Sequence, residues 1–254
     1  MSDLSAFSLA GKRILVTGAN TGIGQGIAVS IARAGGAVVG VGRSSMDETA
    51  ARIGEVGGQF EAVTADLADT AAAGPMLDRV WEKSGSLDGL VNNAGIIRRA
   101  DAVDLSEADW DDVLDVNLKT VFLLCQAFAR RVLAAGRKGK IVNIASVLSF
   151  QGGIRVASYT ASKHGVLGIT RLLACEWAAK GINVNGIAPG YIETNNTQAL
   201  RADPDRSAAI LARIPAGRWG EPGDIGDAAV FLLAQASDYM HGAVMPVDGG
   251  WLAR

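Results

Sequence analysis

Seven short runs rich in valine and isoleucine recur along the chain, at positions 13–17, 37–41, 59–64, 87–91, 140–145, 183–187 and 243–247. They constrain the fold more than any other feature. β-Branched side chains fit the pleated surface of a strand. Several of these runs are apolar without alternation, the pattern of a strand covered on both faces, and longer segments of helical period lie between them. Strand and helix therefore alternate, and the strands are parallel with crossover helices on both sides. The expectation is an α/β chain with a single domain over residues 1–254, a Rossmann-like doubly wound parallel sheet of about seven strands flanked by helices. The length of 254 residues suits one such unit, and no internal repeat or long Pro/Gly/Ser linker divides it. Right-handed crossovers bring the loops that follow the strands to one edge of the sheet, where these folds hold ligands.

With 49% apolar and 20% charged residues, the chain can bury a large core and lacks the charge-rich balance of a disordered protein. A formal charge of −2 without long Lys or Arg runs gives no basic footprint for nucleic acid or an anionic membrane, so a small-molecule partner is expected. The amino-terminal stretch has no basic region followed by an apolar core, and no uncharged apolar run reaches about eighteen residues, so a cytoplasmic location is expected. Cys125 and Cys175 lie in apolar stretches with neither a CxxC spacing nor a nearby His. Both are expected to be reduced core thiols, and no metal site is expected. The least regular region, 190–223, holds short helical pieces between prolines; over a sheet edge such a segment is expected to act as a substrate lid.

Directly after the first strand comes Thr17-Gly18-Ala19-Asn20-Thr21-Gly22-Ile23-Gly24, glycines that open a helix. They allow a tight turn and let backbone amides and the helix amino terminus approach a pyrophosphate. Strand, glycines and helix come in the order a dinucleotide requires. Asp66-Leu67 follows the third strand, where a carboxylate could meet the adenine amino group. Asn92-Asn93-Ala94-Gly95 follows the fourth, where a small polar turn could pass beneath the adenine ribose. Pro189-Gly190, with Ile192 and Thr194 behind it, follows the sixth and points to the nicotinamide end. Each could be an ordinary strand-end turn; their combination argues for a cofactor. At the end of the second strand, where NAD would need a carboxylate, stand Arg43-Ser44-Ser45. A guanidinium grips a 2′-phosphate bidentately, so NADP(H) is expected over NAD(H), with NAD(H) possible if Arg43 is only a solvated charge.

Ser146 follows the fifth strand, and Tyr159 and Lys163 stand four apart on the next helical segment, so their side chains emerge on one face. A unit charge about 4 Å away at an effective dielectric near 20 is worth about 4 kcal/mol, an upper limit of about three pKa units. Lys163 could thereby bring the Tyr159 phenol into the range of an acid/base group. Ser146 would hydrogen-bond the substrate oxygen and hold it near that phenol. Asn117 lies in a strongly helical stretch where Asn is a poor helix former, which points either to solvation or to an amide serving a water relay to Lys163.

These motifs, Thr17-Gly18-x-x-x-Gly22-x-Gly24, Asn92-Asn93-Ala94-Gly95, Asn117, Ser146, Tyr159-x-x-x-Lys163 and Pro189-Gly190, resemble the short-chain dehydrogenase/reductase family over essentially the whole chain. The resemblance implies an NAD(P)-dependent oxidoreductase with Asn117, Ser146, Tyr159 and Lys163 as its catalytic tetrad. It also implies that Lys163 hydrogen-bonds the nicotinamide ribose and that the protein is a homotetramer. Stretches 149–156, 189–203, 213–220 and 247–254 are similar to a subgroup of that family acting on keto-deoxy sugar acids of the 2-dehydro-3-deoxy-D-gluconate type, or on gluconate. For a sugar-acid carboxylate and hydroxyls, Arg155 and Gln151 are the leading candidates, followed by Arg99, Asn195 and Arg218. A 3-oxoacyl thioester reductase of the same fold and a non-catalytic dinucleotide sensor are the alternatives; the latter would have no need of Ser146, Tyr159 and Lys163 together. The tail, Trp251-Leu252-Ala253-Arg254, could complete the site of a neighbouring subunit.

Overall fold

The computed structural model describes residues 4–254; Met1, Ser2 and Asp3, where the stretch read for a leader begins, lie outside the described residues. Among these residues seven strands form one sheet: β1 (Arg13–Thr17), β2 (Ala37–Gly42), β3 (Phe60–Thr64), β4 (Gly89–Asn92), β5 (Gly139–Ile144), β6 (Ile182–Pro189) and β7 (Val244–Val247). Their order is β3-β2-β1-β4-β5-β6-β7, and every neighbouring pair is parallel. The chain reverses direction across the sheet between β1 and β4, which opens a crevice at the carboxyl ends of those strands.

The crossover helices are α1 (Gly22–Arg33), α2 (Asp47–Glu55), α3 (Thr70–Ser84), α4 (Glu107–Leu114), α5 (Thr120–Ala134) and α6 (Ala157–Trp177). Strand β1 shows why its run lacks alternation. Ile14 and Val16 pack with Ile27 and Ile31 of α1, whereas Leu15 packs on the other face with Leu77 of α3 and Leu124 and Phe128 of α5. All are buried, and each such side chain contributes about 1.5–3 kcal/mol relative to exposure.

Past β6 come two short helices, α7 (Gln198–Ala202) and α8 (Pro204–Leu211), neither of which buries a residue, and then α9 (Pro222–Leu233) on the α1 face. The two ends of this excursion meet in a bridge between Ile192 and Gly220, where the Glu193 amide donates to Gly220 O at 2.8 Å and the Gly220 amide to Tyr191 O at 2.9 Å. Its far side rests on the carboxyl tail. Trp251 is buried against Val147 and Ile214 with Tyr191 alongside, and the Arg213 guanidinium stands 3.9 Å from the Trp251 ring centre. The Ala216 amide donates to Gly249 O at 3.0 Å.

One expectation needs correction. Cys125 is buried, accepts a hydrogen bond from Asn92 Nδ2 at 3.2 Å, and burial pushes its thiol up to about 12. Cys175 is exposed. The buried stripe of α6 runs through Val166, Thr170, Leu173, Ala174 and Trp177, and position 175 falls off that stripe despite its apolar neighbours in sequence. No helix among the described residues is long and apolar enough to cross a membrane.

Candidate active site

From β1 the backbone turns through Gly18 (φ 67°) and Gly22 (φ 57°) into α1. Gly24 lies under that turn, where a Cβ would come within 2.1 Å of Gly18 O; only glycine fits. Thr21 at the amino terminus of α1 provides no side-chain cap, so the first amides of the helix are available to an anion. The Thr17 hydroxyl accepts from the amides of Asn93 and Ala94 at 3.0 Å each, and Asn93 Nδ2 donates to Thr17 O at 2.9 Å. Thus the turn after β4 is tied to the turn after β1.

A cleft of about 490 Å³ runs from this turn along the carboxyl ends of the strands. One half is walled by Gly18, Asn20, Thr21, Gly22 and Ile23 with Arg43, Asp66 and Leu67. The exposed Arg43 stands at its end, and neighbouring Ser44 is held by Asn20 Nδ2 at 2.9 Å. Asn93, Ala94 and Gly95 form the floor, and Pro189, Gly190, Ile192, Thr194 and Asn195 the other end, where Ser146, Tyr159 and Lys163 also open. Glycines without room for a Cβ, uncapped amides and a terminal guanidinium suit a dinucleotide carrying a 2′-phosphate. A cavity of about 570 Å³ opens at the opposite ends of the strands, but there Lys12 and Arg137 both pair with Asp88, at 3.8 and 2.9 Å.

Ser146 leaves the end of β5, and its hydroxyl caps a 3₁₀ turn by accepting from the Leu148 amide at 3.1 Å. Tyr159 and Lys163 lie on the first turns of α6. Lys163 is buried, its Nζ donates to Ile144 O at 2.7 Å and stands 5.5 Å from the centre of the Tyr159 ring, and burial lowers its pKa to about 8. Tyr159 departs from expectation. Its pKa is raised by burial, and the Ser146 hydroxyl and then the Arg99 charge oppose the rise. The lysine donates to the strand carbonyl while its Nζ stays over the face of the Tyr159 ring. Asn117 is fully buried on a π-helical turn (Asp115–Lys119) between α4 and α5. Its side chain accepts from the Ile96 amide and donates to Ile96 O, both at 2.8 Å, and reaches Ser162 Oγ at 3.3 Å. It is neither solvated nor bonded to Lys163.

The substrate candidates separate. Arg155 is exposed, adopts φ 63° and pairs with Asp101 at 3.2 Å. Arg218 forms a two-pronged pair with Asp224, at 2.8 and 3.0 Å. Neither they nor Gln151 line the cleft, and Arg99 stands outside its lining as well. Local ion pairs claim Arg155 and Arg218, which spacing alone could not show. Asn195 does line it, with Nδ2 3.5 Å from Thr21 Oγ1, and Arg99 reaches across the mouth to Asn196 O at 3.4 Å. Sequence reasoning ranked Arg99 low and missed Asn196 and Thr197, which also wall the cleft. Asn196 and Thr197 fall within the stretch 189–203 already singled out, and the signal for Arg99 was the Arg98-Arg99 doublet close behind Asn92-Asn93-Ala94-Gly95.

A family model described as Enoyl-(Acyl carrier protein) reductase matches residues 18–252. The chain is 57% identical over 251 residues to a 2-dehydro-3-deoxy-D-gluconate 5-dehydrogenase of Escherichia coli K12, covering 99% of both chains. It is 52% identical over 250 residues to the enzyme of the same name from Bacillus subtilis, covering 98% of both. A crystal structure from Agrobacterium tumefaciens, described as a 2-deoxy-D-gluconate 3-dehydrogenase with bound NADP, is 63% identical with a TM-score of 0.93, covering 98% of this chain and 99% of that one.

Proposed function

The chain belongs to the short-chain dehydrogenase/reductase family, and from that membership we propose that it interconverts a secondary alcohol and a ketone on a keto-deoxy sugar acid of the 2-dehydro-3-deoxy-D-gluconate type. It is an oxidoreductase. NADP(H) is the favoured partner, with NAD(H) second; when bound it supplies or accepts the hydride. The uncapped amides of α1 would hold its pyrophosphate, and Arg43, with Ser44 beside it, would meet the 2′-phosphate. The NADP in the Agrobacterium relative supports this choice.

Tyr159 moves the proton at its phenol oxygen, and Ser146 orients the substrate oxygen beside it. With a pKa of about 8, Lys163 is largely charged at neutral pH, and it would hold the nicotinamide ribose of the bound cofactor. Asn117 braces the Ile96 backbone under the cofactor floor. One observation supports the sugar-acid reading: the exposed Arg99 guanidinium reaches Asn196 O on the cleft wall at 3.4 Å, beside the mouth where an acid's carboxylate needs a cationic fork. Asn195 meets the hydroxyls, and residues 190–223 close over the bound acid as a lid on a single domain. We also assign the protein to the cytoplasm and to a homotetramer, on the family resemblance alone.

A screen of keto and deoxy sugar acids with all four cofactor forms tests the assignment. The expected result is turnover of 2-dehydro-3-deoxy-D-gluconate or a near relative with a higher kcat/KM for NADP(H). The description of the matching family model favours an acyl thioester as the second substrate class; turnover of 3-oxoacyl or enoyl thioesters but of no sugar acid would establish it. Tyr159→Phe is expected to lower kcat by about 10²–10⁴ while leaving cofactor binding in place.

A further inference from the structure

Ser146 and the pair Tyr159–Lys163 come from different elements. Their spacing must be held to a fraction of an ångström if a proton is to pass between phenol and substrate. Among the described residues no backbone hydrogen bond joins the turn after β5 to α6. Besides the contact of Ser146 with Tyr159 itself, two bonds formed through side chains tie the end of β5 and its turn to α6. Lys163 Nζ donates to Ile144 O at 2.7 Å, and in return Ser149 Oγ donates to the Lys163 backbone carbonyl at 2.7 Å. The Ser149 amide donates to Ser146 O at 2.8 Å, which closes the 3₁₀ turn between the two serines. Residues 144, 146, 149 and 163 thus form a closed circuit, with Ser149 at 1% exposure inside it.

The acceptor in this circuit lies in the interior of α6, where the helix ladder already uses the carbonyl once; Ser149 takes its second lone pair. An alanine at 149 would therefore leave no buried acceptor without a partner, and the hydroxyl is not required to satisfy the helix. What it fixes is where the turn sits on the helix. We infer that Ser149 is a positioning residue for hydride transfer: its hydroxyl clamps the Ser146 turn to α6 and so sets the gap between the Ser146 hydroxyl and the Tyr159 phenol. The inference rests on the proposed roles of Ser146 and Tyr159. It does not depend on which alcohol is oxidised.

Ser149→Ala is expected to lower kcat about tenfold with little change in KM, since misplacement of a reacting group by a fraction of an ångström acts on the chemical step. Ser149→Thr keeps a donor and is expected to retain activity; Ser149→Val, of the same shape as threonine but without the donor, is not. In a Ser146→Ala background the Ala substitution at 149 is expected to have no further effect, because both act through one hydroxyl. A second readout needs no substrate. The Tyr159 titration, taken as the ultraviolet difference between each protein and its Tyr159→Phe counterpart, is expected to move to higher pH in Ser149→Ala as it does in Ser146→Ala, and no further in the double variant. Native kcat in Ser149→Ala, an equal loss in the Thr and Val variants, or losses that add in the Ser146→Ala background would each overturn the inference. Native kcat in Ser146→Ala would overturn it together with the role of Ser146. A failure of sugar acids as substrates changes only the substrate assignment, because the titration and the double-variant comparison are read on any alcohol the enzyme turns over.

Discussion

Burial drives Tyr159 and Lys163, one helical turn apart, each toward its neutral form: the phenol's pKa rises and the ammonium's falls to about 8. The cation that opposes the rise at Tyr159 is Arg99. Arg99→Met is therefore expected to raise KM for an acid substrate roughly 10–100-fold, the loss of one charge-assisted contact of about 1.5–3 kcal/mol, and to shift the alkaline limb of kcat for ketone reduction, which needs the protonated phenol, upward in pH. An unchanged limb in a pH-rate series would remove Arg99 from the site. Lys163 has a linked effect on stability. Its folded pKa lies below the ordinary value of 10.5, so between pH 8 and 10.5 the unfolded chain binds more protons and this residue makes stability rise with pH. Urea unfolding across that window is expected to show a shallower rise in Lys163→Met than in the native protein. The four-residue spacing of Tyr159 and Lys163 was legible in the sequence. That Arg99 also acts on the phenol was not, because Arg99 arrives from a different loop.

The π-helical turn between α4 and α5 gives Asn117 its task, gripping both the amide and the carbonyl of Ile96. Asn117→Leu leaves two part-buried backbone groups without their partners, each costing at most about 1–3 kcal/mol. The urea midpoint is expected to fall with an unchanged slope, and a midpoint equal to that of the native protein would contradict the bracing role. Sequence marked Asn117 as odd because asparagine is a poor helix former, yet its partner lies beyond the preceding helix and only the fold brings it near. Strands were easier to read. Ile14, Leu15 and Val16 announce a strand covered on both faces, and no ligand or distant partner is needed to interpret that pattern. Arg155 and Arg218 show the opposite case: their chemistry suited a carboxylate, but Asp101 and Asp224 already occupy them.

Across the whole molecule, the parallel order of the sheet and the edge that holds the cleft follow from the strand runs and glycine turn, whereas the placement of the carboxyl tail does not. Trp251 packs under Ile214 and Tyr191 of its own chain. Trp251→Ala is expected to cost about 3–5 kcal/mol and to open residues 193–219 to limited proteolysis before the sheet unfolds. Simultaneous cleavage in the sheet and in that segment would argue that the tail supports both equally. The Ile192–Gly220 bridge has a separate bearing on how such a chain can diverge. Because the two ends of the excursion are hydrogen-bonded to each other, the intervening residues form a cassette whose anchor points do not move with its contents. Doubling the length of such a cassette adds only about 0.6 kcal/mol of closure entropy. Insertions and wholesale exchange between those anchors can retune which molecule is admitted while the strands, the glycine turn and the tyrosine helix keep their registers, so one hydride-transfer scaffold is open to descendants with unrelated diets.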